Sequence, residues 1–260
     1  SRPPMSVPTN HIRFVLVRTS HPGNIGSADR AIRTMGFTRL LLVEPQRYPD
    51  PEAFALAAGA PDVLENAPVH AALPDALAEC TLVLGLSARP RGVALPEWSP
   101  REAADHAWQA ACGGAQVALV FGNEQSGLTN QELAHCHAMV RIPSVDDYSS
   151  LNLAQAVQVM AYELRLATLQ GAVPVEVELR DAPADAAQME QLFTHLAQTL
   201  DAIDFHKGRS PRTLMLRLRK LFQRAHPDVR ELRILHGILA DAERVARLSA
   251  SANGAGSDDV

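Results

Sequence analysis

IPSVDDYSSLNLAQAVQ, residues 142–158, runs from the end of a short apolar strand through a polar loop straight into an apolar-periodic helix. The strand is expected over 139–142 and the helix over 150–169. Ser149, Ser150 and Asn152 stand where that helix starts, and each can accept a hydrogen bond from one of its first free backbone N–H groups. A loop that turns hydroxyls and free amides toward one spot is a natural ligand cradle. A plain strand–loop–helix with a serine cap has the same pattern, so the rest of the chain must decide between the two.

On either side of this stretch the chain alternates strands and helices. HIRFVLVR (11–18) reads as a strand, and SHPGNIGSADRAIRTMG (20–36) as a loop running into a helix that buries Ala28, Ala31, Ile32 and Met35 and closes at Gly36. TRLLLVEP (38–45) is a continuous apolar run, as in a strand covered on both faces. A helix near 52–58, a short strand near Val69 and a helix over 74–79 lead to the strand TLVLGLS (81–87). Helix 99–110, the strand QVALVFG (116–122) and a helix over 130–136 follow. This alternation predicts an α/β fold, a mostly parallel sheet with helices on both faces. Ligands of such sheets bind beyond the carboxyl ends of the strands. The loops leaving strands at Ser87, Gly122 and Ile142 should therefore share one site.

Residues 171–186 break the periodicity with Pro, Gly and acids and read as a linker. A small helical extension over 187–247 follows, in three helices at about 187–203, 211–224 and 228–247, the second with Ser210 as cap and Pro211 in its first turn. Leu214, Met215, Leu218, Leu221 and Phe222 make the apolar stripe of that helix, while Arg217, Lys220 and Arg224 share another side. Between His206 and Arg233 nine Lys/Arg stand against two acids, in a chain whose net charge is −5. Such asymmetry points to a polyanionic partner, the alternative being a merely solvated basic face. The ends, 1–10 and 248–260, read as disordered.

With 260 residues, 47% of them apolar, the chain can bury one large core or a medium and a small one. Cys80, Cys112 and Cys136 make no even framework, which suggests a reducing, cytoplasmic setting. His135-Cys136-His137 looks like a metal cluster, but adjacent residues do not converge on one ion, so no metal is expected. No apolar run approaches the length of a membrane span. NIGSADR (24–30) lacks GxGxxG and GK[ST], which removes the best evidence for a dinucleotide or nucleoside-triphosphate site. GLSARPR (85–91) places small residues straight after a strand, and FGNEQSGLTNQEL (121–133) brackets Glu124 with Gly122 and Gly127 before a helix capped by Thr129 or Asn130.

Taken in order, NIGSADRAIRTMG, ALVFGNEQSGL and IPSVDDYSSLNLAQAVQ resemble the three motifs of the SpoU-type branch of the SPOUT RNA methyltransferases, and within it the TrmJ type. The resemblance covers about residues 11–169, and the basic helical extension resembles that group's C-terminal part. It implies a trefoil knot in the C-terminal part of the α/β domain, a homodimer with a shared active site, and S-adenosylmethionine (SAM) as methyl donor. It also implies methylation of the ribose 2′-hydroxyl of cytidine or uridine at position 32 in the tRNA anticodon loop. The donor cradle would be Leu86, Ser87, Ala88, Gly122, Ile142, Ser149, Ser150 and Leu151. Arg30, Ser150 and Asn152 fall on positions tied to catalysis; Asn24, Arg30 and Glu124 on positions tied to RNA, together with Arg217, Lys220 and Arg224 of the extension. Departures from the group's pattern are Asn123 and Gln125, where arginines are frequent, Val145-Asp146, where Asn-Pro is, and Asp29, where a small apolar residue is.

A ribose hydroxyl is a poor nucleophile, whereas a methyl on a sulfonium is already activated. The protein must then supply alignment and help with the hydroxyl proton. A guanidinium stays protonated, so Arg30 is expected to clamp the emerging alkoxide and the adjacent phosphate. A non-catalytic RNA-binding protein on this fold, a methyltransferase for another RNA site, and an unknotted nucleotide-binding enzyme are the competing readings.

Overall fold

The computed structural model describes residues 8–57, 64–87, 95–145, 151–170, 182–207 and 210–254. The chain divides into two compact units, residues 1–177 and 178–260. In the first, seven strands among the described residues form one parallel sheet: β1 (Ile12–Val17), β2 (Leu40–Val43), β3 (Val69–His70), β4 (Cys80–Leu86), β5 (Glu97–Trp98), β6 (Gln116–Phe121) and β7 (Ala138–Val140). Their order is β3-β2-β1-β6-β4-β7-β5. β1 and β2 are buried at every position and β6 at all but its first, as continuous apolar runs require when both faces are covered. Phe14 of β1 stacks on Phe121 of β6 with ring centroids 6.2 Å apart, and Phe37 meets its edge at 5.7 Å.

The unit's helices are α1 (Pro22–Thr34), α2 (Pro51–Ala57), α3 (Leu73–Leu77), α4 (Pro100–Cys112), α5 (Asn130–Leu133) and α6 (Leu153–Gln170). α6 buries Leu153, Val157, Met160, Ala161, Leu164 and Ala167, a stripe at helical spacing, and packs on α1 and α4. Arg101 of α4 reaches Glu163 of α6 at 3.2 Å. α1 and α2 approach so closely that a Cβ on Gly26 would lie 2.0 Å from the carbonyl oxygen of Ala53. Gly26 is thus a helix-packing residue. The NIGSADR segment is also not a loop: the helix begins at Pro22, so Asn24 sits in its first turn and Arg30 in its third.

The second unit holds α7 (Ala186–Ala202), α8 (Arg212–Ala225) and α9 (Val229–Gly254). Met189, Leu192, Phe193 and Leu232 form its core, with Met215, Phe222, Leu235 and Leu239 against it. α7 opens on a capping box, Asp185 accepting from the Gln188 N–H.

Several expectations are corrected. The N-terminal disorder expected to residue 10 does not reach Pro8–His11, which form a 3-10 turn with His11 Nδ1 3.1 Å from the Ala111 carbonyl. The tail expected to be disordered from 248 stays helical to Gly254, because SASAN contains no proline and its alanines favour helix. The helix expected from 150 begins at Leu153, because Asn152 is its cap, and the strand expected to 142 ends at Val140. At α8, Pro211 occupies the N-cap with no side-chain cap bond, so Ser210 does not serve there. Leu221 is 51% exposed and lies off the stripe it was expected to join. β5 was not foreseen, two residues being too few for a periodic signal. Residues 171–181 of the expected linker lie outside the described residues.

Asp29 is fully buried on α1, with neither carboxylate oxygen hydrogen-bonded among the described residues. Burial pushes its pKa up to about 6, against the pull of Arg33. A carboxyl whose folded pKa lies above its unfolded value near 3.8 leaves the fold unharmed while protonated and weakens it as pH rises through both values. Asp29→Asn, neutral at every pH, should therefore match the parent protein's pH dependence poorly. Its stability relative to the parent should rise by on the order of 2–3 kcal/mol between pH 4 and pH 8. Paired thermal melts at the two pH values measure this; equal differences at both would show that the carboxyl ionises freely.

Candidate functional site

Parallel pairing brings the carboxyl ends of four neighbouring strands level. Leu16 of β1 pairs with Phe121 of β6, Phe121 with Leu86 of β4, and Leu86 with Val140 of β7. The loops beginning at Arg18, Gly122, Ser87 and Arg141 therefore emerge side by side along one edge. The Ser87 N–H bonds the Val140 carbonyl at 3.1 Å, joining two of them. Leu86 is buried and Ile142 half-buried against the core, so the floor here is apolar. A Cβ on Gly122 would lie 2.3 Å from both the Gly127 carbonyl carbon and the Leu128 nitrogen. The glycine is thus demanded by the 122–128 loop's own path, which folds back with Gly127 N–H on the Asn123 carbonyl at 2.8 Å.

Glu124 is the hub of the polar half. Its carboxylate accepts from the Ser20 N–H (2.9 Å) and hydroxyl (2.8 Å), the His21 N–H (3.2 Å) and Asn24 Nδ2 (2.9 Å). Burial pushes its pKa up, but the bonds from Asn24 and Ser20 outweigh it and hold the group below the usual carboxylate range. With both oxygens engaged by its own chain, Glu124 orients the first turn of α1. Asn24 Oδ1 in turn accepts from Asn152 Nδ2 at 3.0 Å, and Asn152 Oδ1 caps α6 through the Ala154 N–H at 2.9 Å. Glu124, Asn24 and Asn152, one from each sequence motif, thus form a single chain of hydrogen bonds.

Arg30 lies two turns further along α1, exposed, with no side-chain partner among the described residues. Leu151 is 39% exposed beside Asn152. Ala88, Ser149 and Ser150 lie outside the described residues. Among the described residues no group of three or more His, Cys, Asp and Glu could share a metal ion. His137 is occupied, its Nδ1 accepting from the buried Val83 N–H at 2.9 Å.

Sequence reasoning missed Arg18, Ser20 and Glu132, and singled out Asn123 only as a departure from the family pattern. Arg18 forms a two-pronged pair with Glu132, and the Arg18 carbonyl accepts from Asn123 Nδ2 at 2.7 Å. Thr129 and Glu132 also make a capping box at α5, a T-x-x-E spacing that was readable. Nothing in the sequence signalled Arg18.

In the second unit Arg217, Lys220 and Arg224 recur at helical spacing on one side of α8, Arg217 and Arg224 exposed and Lys220 half-buried, with no ion pair among the described residues. Arg219 differs: it pairs with Glu190 and lies 4.4 Å above the Phe193 ring, so it is part of the packing.

Residues 11–162 match the SpoU rRNA Methylase family, and residues 187–251 match the C-terminal domain of the tRNA methyltransferase TrmJ. The tRNA (cytidine/uridine-2′-O-)-methyltransferase TrmJ of Escherichia coli K12 is 49% identical over 237 residues, 90% of this chain and 96% of the relative. Its counterpart from Yersinia enterocolitica is 48% identical over 239 residues, 90% of this chain and 92% of the relative. The crystal structure of TrmJ from Z. mobilis ZM4 superposes with a TM-score of 0.78 at 32% identity, covering 89% of this chain and 98% of that one. Matches along both units place the chain in the SpoU methylase family and, within it, among the TrmJ proteins.

Proposed function

We propose that this protein is a cytoplasmic enzyme that methylates the ribose 2′-hydroxyl of cytidine or uridine in tRNA, at anticodon-loop position 32, with SAM as donor. The observation that carries the reading is the Glu124–Asn24–Asn152 chain, which draws the three motifs to the edge where β4, β6 and β7 end. The curated relatives are named tRNA (cytidine/uridine-2′-O-)-methyltransferases.

The residues at the strand ends fit the donor. Leu86 and Ile142 offer apolar walls for a purine, the backbones of Ser87 and Gly122 follow the ends of β4 and β6, and the nearby carboxylate of Glu124 is already satisfied. Leu86, Ser87, Ala88, Gly122, Ile142 and the Ser149–Leu151 run would hold it, and the methyl-bearing sulfonium it carries supplies the electrophile. The trefoil knot belongs to the same reading: β7 lies between β4 and β5, and the Ser87 N–H just after β4 bonds the Val140 carbonyl at the end of β7.

What remains for the protein is to align the hydroxyl and manage its proton. Arg30 is positively charged and free of its own described neighbours, and its planar fork can hold a phosphate and a nascent alkoxide together. The proton leaves to that phosphate or to water, and Asn24 and Asn152 fix the surface against which the ribose lies. Ser150 would add a hydroxyl there. Arg30→Ala and Arg30→Lys should both lower single-turnover methylation of tRNA by about 10²–10³-fold, the range for one preorganised donor to an oxyanion. SAM affinity by calorimetry should be retained. Near-parental turnover from a folded Arg30→Ala protein would exclude the clamp.

A homodimer completes this reading, Arg30 of one subunit serving the donor site of the other. The exposed Tyr162 and Leu169 of α6 and Leu151 before it support an unfilled contact face on the protomer. Mixing an Arg30→Ala protein with a donor-site variant should restore part of the activity once subunits exchange, and sedimentation should report a dimer. A monomer active at the same dilution would rule this out.

Arg217, Lys220 and Arg224 are assigned to tRNA phosphates. Replacing all three with glutamine should weaken tRNA binding, reduce the slope of log K against log salt by about 2–3, and leave SAM binding alone. An unchanged slope would mean a solvated face.

A further inference from the structure

Arg18 is the first residue after β1 and takes a left-handed backbone conformation, φ 53°, which an arginine adopts only when its surroundings enforce it. Its backbone is held on both sides: the Arg18 N–H donates to the Val43 carbonyl at 2.8 Å, and its carbonyl accepts from Asn123 Nδ2 at 2.7 Å. Its guanidinium crosses to the next loop. Nε and Nη2 bond the two Glu132 oxygens at 2.8 and 3.0 Å, and Nη2 also donates to the Gly127 carbonyl at 3.2 Å. One residue therefore grips the start (Asn123), the middle (Gly127) and the far end (Glu132) of the segment that carries Gly122 and Glu124. Glu124 reaches back to Ser20, His21 and Asn24, the residues just beyond Arg18 in the chain. The two loops are thus latched twice, in opposite directions.

We propose that Arg18 is a positioning residue for methyl transfer, its fork and carbonyl fixing the 122–132 segment so that the donor loop and the Asn24 end of α1 keep one relative geometry. The inference rests on the methyltransferase reading above and names no new reacting group. A surface ion pair alone would be of little consequence. This pair is different because Glu132 is mostly buried, is also bonded by the Thr129 N–H at 2.6 Å, and shares its arginine with a backbone carbonyl of the same loop. Its geometry is a bidentate fork with a third anchor, an arrangement that a lysine cannot reproduce.

The test uses the full chain, SAM and tRNA. Arg18→Met removes charge and fork while keeping an unbranched stem; Arg18→Lys keeps only the charge. SAM-binding sites are counted by calorimetry, and single-turnover methylation is measured at saturating tRNA and expressed per SAM-binding site. The expected result is a fall of about 10–100-fold per site for Arg18→Met, the scale of a misplacement of about 1 Å, with a smaller fall for Arg18→Lys and tRNA affinity unchanged. A purely structural arginine would lower the melting temperature and the number of sites but leave the rate per site at the parental value, and that result overturns the proposal. Should Arg18→Met not fold, a parental rate per site in Arg18→Lys overturns it equally. Failure of the underlying reading shows separately, as absence of SAM binding or methylation in the parent protein.

Discussion

Parallel pairing of β1, β6, β4 and β7 in a common register is the constraint on which the site depends. Because the four strands run the same way and Leu16, Phe121, Leu86 and Val140 share one row, each chain segment must leave the sheet at the same edge. Pairing antiparallel by even one of them would carry its loop to the opposite end. The apolar runs that enforce this arrangement lie in the core, far from the polar atoms they bring together. Burial of β1 and β6 on both faces makes the sheet a rigid base, and the loops can then afford irregular backbone such as the left-handed Arg18.

On that base the polar contacts form a hierarchy. Glu124 takes four donors from Ser20, His21 and Asn24, Asn24 passes the connection to Asn152, and Asn152 ends it by capping α6. Each group is satisfied by the next, so no free side chain is needed to hold the shape. Arg30 stands outside this chain, exposed and with no side-chain partner among the described residues. The second unit follows a similar division: Arg219 is committed to Glu190 and Phe193, while Arg217, Lys220 and Arg224 form no ion pair among the described residues.

The strand–helix alternation and the convergence of the Ser87, Gly122 and Ile142 loops were legible because burial on both faces leaves unbroken apolar runs and parallel strands all end at one edge. Asn152 was legible only as one of three groups able to accept at the helix start; the structure shows it capping a helix that begins at Leu153. What escaped was long-range. Nothing local marks Arg18 as a partner of Glu132, 114 residues away. β5 has two residues and no period, and α9 outran its expected end because alanine and serine can continue a helix that their composition alone does not announce. Glu124 stood out between two glycines, and only the structure shows that its carboxylate faces its own chain.

Gly26 shows how a motif can mislead an experiment. It stands in a glycine-bearing segment next to residues assigned to substrate, yet its hydrogen is all that fits against the α2 backbone at Ala53. Any side chain there would push α1 away from α2 and carry Asn24 and Arg30 with it. A mutational scan scored by activity alone would then rank Gly26 with the residues assigned to RNA, although its neighbours are the protein's own main chain at Ala53 and Ala57. Scoring abundance beside activity would separate the spacer from the contacts.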